Sequence, residues 1–156
     1  MPKEGPIYHA VVRRRVRALF AAVSRGDAEP VLRQFARRFE HRFLGDSALG
    51  GTRRSLTATR DWYLRLYRLM PDIRFMLGEM VIAGGPWHTI VVAHWEECNT
   101  GTDGVETRNR GCHVLTLRWG KATSLTICPD TAGLAATLDR LALAGVSEAK
   151  ARPITD

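Results

Sequence analysis

The stretch that decides the fold is Gly111-Cys-His-Val-Leu-Thr-Leu-Arg-Trp-Gly-Lys-Ala-Thr-Ser-Leu-Thr-Ile-Cys-Pro-Asp130. Val114, Leu115, Leu117, Leu125 and Ile127 are strand-forming residues on either side of Trp119-Gly120, and a two-residue loop ending in glycine is a hairpin connection. With Trp119 and Gly120 as the loop, Arg118 pairs with Lys121. Continuing the ladder sets His113 opposite Thr126, Leu115 opposite Ser124 and Asn109 opposite Asp130. Side chains alternate across a strand, so Asn109, His113, Leu115, Leu117 and Asp130 fall on one sheet face. A single bulge would move part of this set to the other face.

Upstream, the same period of two continues. Residues 105–118 form the preceding strand, joined through Asn99–Gly104 to a strand over 87–99. Ile73, Phe75 and Leu77 open another strand that runs to Ala83 before the turn Gly84-Gly85-Pro86. The four strands read as an antiparallel meander. Downstream, 131–144 repeats Leu134, Leu138 and Leu141 at helical spacing.

The first half is helical. Tyr8, Val12, Val16, Leu19, Phe20 and Val23 make one apolar stripe, stopped by Gly26. Asp27 then caps a second helix that buries Val31, Leu32, Phe35 and Ala36. Phe39–Leu44 is a short strand, 45–51 a loop, and 53–70 a third helix ended by Pro71. One α+β domain over 1–145 follows, with 146–156 as a tail. Its fold class is α+β, a curved antiparallel sheet with helices packed on its concave face, forming a cone-shaped cavity.

Composition bounds the function. The 156 residues are 45% hydrophobic and 25% charged, which describes a globular chain. No apolar run is long enough for a membrane helix and MPKEGPIYHAVVRRR has no signal-peptide core, so a cytoplasmic location is expected. Formal charge is +7, concentrated in the first half. Arg13, Arg14, Arg17, Arg37 and Arg38 lie off the apolar stripes, so solvated faces account for the charge and nucleic acid is not an expected partner. Cys98, Cys112 and Cys128 are odd in number and lack a CxxC pair, which fits a reducing compartment. His94, Glu96 and Cys98 alternate on one flat strand, an awkward arrangement for a metal ion, and no metal is expected. With no phosphate-binding glycine loop and no nucleophile elbow, no cofactor is expected either.

Four segments carry a family likeness: VRALFAAVSRGDAEPVL (16–32), MPDIRFMLGEMVIAGG (70–85), 111–130, and TAGLAATLDRL (131–141). In order and spacing they resemble the nuclear-transport-factor-2-like superfamily, in particular its SnoaL-like, ketosteroid-isomerase-like branch, over roughly residues 8–144. The resemblance implies that the face bearing Leu115 is the concave one, which turns Asn109, His113 and Asp130 toward the cavity. It also implies acid–base catalysis by Asp130, which matches the aspartate just before the last helix of SnoaL-like cyclases. His113 would assist. Asp130 has a second reading, as the N-cap of the helix that begins at Thr131. Asn109 and His41, the latter near the cavity rim, are candidate ligand contacts. Trp62, Tyr63 and Trp95 are candidate walls.

The expected function is therefore binding of a small apolar molecule, with isomerase or cyclase chemistry on a cyclic or polyketide-like carbonyl compound. The alternative is a non-catalytic hydrophobic-ligand-binding or dimerisation module. The meander has apolar residues on both faces, so its convex face is expected to form a homodimer.

Overall fold

A computed structural model describes residues 5–156. Helix α1 (Pro6–Ser24) buries Val12, Val16, Phe20 and Val23, the stripe expected from sequence. A one-turn helix α2 (Glu29–Leu32) follows. Phe35 and Ala36 do not continue a helix; they open strand β1 (Phe35–Phe43). Its inward positions are Phe35, Phe39, His41 and Phe43, and an aromatic and β-type run of this kind prefers the pleated conformation. The loop after it holds a short strand β2 (Gly51–Arg53). Helix α3 (Leu56–Leu69) is capped by Ser55, whose hydroxyl accepts from the Ala58 amide at 3.2 Å.

The meander comprises β3 (Arg74–Gly85), β4 (His88–Asn99), β5 (Thr107–Arg118) and β6 (Lys121–Pro129), and α4 (Thr131–Leu143) closes it. The sheet order is β2-β1-β6-β5-β4-β3. Strand β1 pairs parallel to β6, so the sheet is mixed rather than wholly antiparallel. The curved sheet holds α1, α3 and α4 against one face, with the hydrophobic core between them.

The turn at Trp119 and Gly120 has φ of 50° and 77°, the positive pair that matches strand twist in a two-residue hairpin. Arg118 pairs with Lys121 and Leu117 with Ala122, but Thr116 pairs with Ser124. Thr123 is therefore an extra residue, a bulge, and its hydroxyl turns back to donate to the Thr116 carbonyl at 3.3 Å. Beyond it the ladder runs one residue out from the simple count: Leu115 faces Leu125, His113 faces Ile127 and Gly111 faces Pro129. The new register suits the residues. Leu125 and Ile127 move to the core side, and both are buried. Asp130 donates its N–H to the Arg110 carbonyl at 2.8 Å. That makes Gly111 and Pro129 a non-hydrogen-bonded pair, where proline loses nothing.

The tail from residue 146 is packed rather than loose. A 3-10 turn (Ser147–Lys150) buries Ala149. Arg53, fully buried, donates to the carbonyls of Gly50, Gly51 and Ile154, and Arg65 donates to that of Arg152 at 2.7 Å. No helix among the described residues is long and apolar enough to cross a membrane.

Candidate functional site

Between the helices and the concave sheet face lies a cavity of about 80 Å³, several times the roughly 10–15 Å³ that one water needs. Its wall is mostly apolar. Phe20, Trp62, Tyr63, Leu66, Phe75 and Trp95 supply much of it, and Glu97, Asn109 and His113 are the polar residues among its lining.

His113 lies in the cavity as expected. Trp95 Nε1 donates to its Nδ1 at 2.8 Å. Phe20 and Phe75 flank the ring with centroids 4.7 and 6.3 Å away. The surface His113 exposes faces this apolar space, so burial pushes its pKa down to about 3. Trp95 reaches it because Gly111 stands opposite Trp95 in the β4–β5 ladder. A Cβ on residue 111 would come within 2.9 Å of the indole.

Asp130 does not enter the cavity, which corrects the expected placement. The Thr123 bulge reverses its parity, and it borders a shallow groove on the other side of the sheet with His94, Glu96, Arg110, Cys112 and Cys128. Its carboxylate accepts from the Gly133 amide at 3.1 Å, the N-cap of α4. Asn109 lines the cavity, but its amide is engaged with backbone: Nδ2 donates to the Asp130 carbonyl at 3.0 Å, and Oδ1 accepts from the Asp130 and Arg110 amides. His41 is fully buried rather than at the rim. Its Nδ1 accepts from Arg53 Nε at 3.0 Å, and Trp62 and Tyr63 meet its ring edge-to-face with centroids 4.7 and 5.7 Å away. Burial, reinforced by the Arg53 charge, holds its pKa well below 6.5.

Sequence reasoning missed Glu97. On β4, Val91, Ala93, Trp95, Glu97 and Asn99 are the inward positions, so the apolar parity leads directly to this carboxyl. The outer residues His94, Glu96 and Cys98 occupy the opposite parity of the same strand. Glu97 is 4% exposed and pairs with Asn109. Its Oε2 accepts from Asn99 Nδ2 at 3.0 Å, while Asn99 Oδ1 is fixed by the Gly101 amide at 2.9 Å. Desolvation raises the Glu97 pKa against the smaller lowering by Asn99. Tyr63 is buried too, and its hydroxyl bonds to no other described residue; burial raises its pKa. Glu97 stands four residues along the sheet from the level of His113, roughly 13 Å of backbone. The two side chains thus face opposite ends of a small ring-sized space.

Among the described residues no group of three or more histidine, cysteine or acidic side chains is arranged to hold a metal ion. Cys112 and Cys128 are cross-strand neighbours on the outer face and both are free thiols.

Comparison with known proteins follows the fold. The SnoaL-like domain family matches residues 16–125. A protein of nuclear-transport-factor-2-like fold and unknown function from Burkholderia pseudomallei is 19% identical, with TM-score 0.70 over 80% of this chain and 95% of its own. A candidate SnoaL-like polyketide cyclase from Jannaschia sp. CCS1 is 15% identical, with TM-score 0.63 over 98% of this chain and 100% of its own. TerC, crystallised with polyporic acid, is 18% identical, with TM-score 0.58 over 86% of this chain and 96% of its own. No functionally curated protein matches the sequence.

Proposed function

The chain belongs to the SnoaL-like domain family, and from that premise we propose that it binds a small apolar carbonyl compound in its cone and moves a proton on it, as an isomerase or cyclase does. The observation that carries this reading is Glu97, a buried carboxyl on the wall of an apolar cavity, with its pKa raised by desolvation. A carboxylate whose pKa is drawn toward neutrality is suited to general acid–base work. In this reading Glu97 takes the proton from the γ-carbon of a conjugated enone, at the end of the ring remote from the carbonyl. His113 and Tyr63 face the oxygen on which negative charge then develops. Glu97 returns the proton at the same or a conjugated carbon, and the bond order shifts accordingly. Asp130, expected from the resemblance to do this work, serves instead as the cap of α4.

The test is hydrogen exchange. Cyclic enones incubated with the protein in heavy water should gain deuterium at the γ-carbon, and Glu97→Gln should remove that exchange. Binding of enones without exchange would favour the second reading, a non-catalytic module for a hydrophobic ligand. In both readings the protein is a homodimer through the convex sheet face, where Val81, Ile90, Val92 and Val114 lie on adjacent strands. A cytoplasmic location fits the three unpaired cysteines.

A further inference from the structure

We propose that Trp95 is a positioning residue: its indole N–H locks His113 in the tautomer that carries the proton on Nε2, so that the cavity presents a hydrogen-bond donor there and never an acceptor. The proposal rests on the reading of the cavity as the ligand site. The indole nitrogen can only donate. Trp95 Nε1 lies 2.8 Å from His113 Nδ1, so Nδ1 must supply the lone pair. A neutral imidazole holds one proton, which then resides on Nε2.

Three further features hold the arrangement. The ring stays neutral because burial pushes its pKa down to about 3. Its other neighbours, Phe20 and Phe75, are apolar and offer neither nitrogen a competing partner, and Nε2 bonds to no other described residue. The indole itself is fixed, close against Gly111 and edge-on to Phe75 at 5.3 Å and 90°. Moving the proton to Nδ1 would set two N–H groups against each other. Leaving a buried donor unmatched disfavours that tautomer by roughly 10- to 100-fold. A ligand must therefore meet His113 with a lone pair, as a ketone or quinone oxygen does.

Nitrogen NMR of the labelled, full-length protein tests this directly. The wild type should show His113 with a pyridine-like Nδ1 and a protonated Nε2. In Trp95→Phe the two nitrogens should move toward averaged values. Cyclohexenone, which only accepts, should shift the Nε2 resonance in the wild type and bind roughly 3- to 10-fold more weakly to Trp95→Phe. Pyrrole, which only donates, should leave Nε2 unmoved. A wild-type proton on Nδ1, averaged wild-type nitrogens, or an unchanged tautomer in Trp95→Phe would overturn the lock. If Trp95→Phe does not fold, the wild-type spectrum alone decides. The expected tautomer pattern with no response to cyclohexenone would uphold the lock and overturn the ligand reading, so the two failures are distinct.

Discussion

Gly111 lies directly opposite Trp95 in the β4–β5 ladder, and the missing side chain lets the indole lie across β5 to reach His113. A backbone vacancy on one strand thus sets the polarity of a cavity group on the same strand, through a residue on its neighbour.

Gly111→Ala tests that relationship. The new methyl would sit 2.9 Å from the indole and 2.2 Å from the Cys128 carbonyl oxygen. Overpacking of this kind costs about 1–3 kcal/mol. Urea denaturation should report that loss, and the tryptophan fluorescence of the folded variant should shift as the Trp95 indole is displaced.

Glu97 and Asp130 should separate cleanly. Glu97→Gln keeps shape but removes the proton, so turnover should fall by about 10²–10⁴ while ligand affinity changes far less. Asp130→Asn replaces one good N-cap with another, and both activity and stability should stay close to wild type. A large activity loss in Asp130→Asn alone would reverse the assignment.

Acid should destabilise the fold through its histidines. The unfolded chain takes up protons at His41 and His113 near the ordinary value of 6.5, whereas the folded rings resist until far lower, about 3 for His113. The unfolded state then binds more protons. Stability is therefore complete above about 6.5 and falls as the pH drops toward about 3, by at most about 1.4 kcal/mol per pH unit for each ring. Glu97 has the opposite sign. Its raised pKa makes a contribution that is lost as pH rises above 4.5. Denaturation curves of His113→Gln should show a shallower acid loss than wild type.

Trp119 occupies a positive φ of 50° while 75% exposed. An L-residue pays roughly 1–2 kcal/mol for that conformation, and asparagine tolerates it better. Trp119→Asn should raise the thermal midpoint, and a lowered midpoint would mean that the indole packs on something in solution.

The convex face carries a valine, isoleucine and threonine surface across β3, β4, β5 and β6. If a second copy covers it, light scattering should give a dimer mass at micromolar concentration. Val114→Glu should then give the monomer with the fold intact. A monomeric wild type would remove the proposed interface.

The α1 stripe, the α3 stripe, the four-strand meander, the Trp119-Gly120 turn and the closing helix are all legible in the sequence, because each rests on periodicity or turn chemistry within a few residues. The resemblance, rather than any local pattern, turned His113 toward the cavity. The rest depends on contacts between segments far apart in the chain. The parallel pairing of β1 with β6 joins segments some eighty residues apart, which no local pattern encodes, and it drew Phe35 and Ala36 out of a helix. The bulge at Thr123 depends on where Leu125 and Ile127 find burial, and that one residue turned Asp130 from the cavity to the cap of α4. Glu97 stood in the apolar parity of β4 all along. Only the closing of helices over that face made it a buried acid, because a carboxyl's pKa answers to the solvent it has lost rather than to its neighbours in the chain.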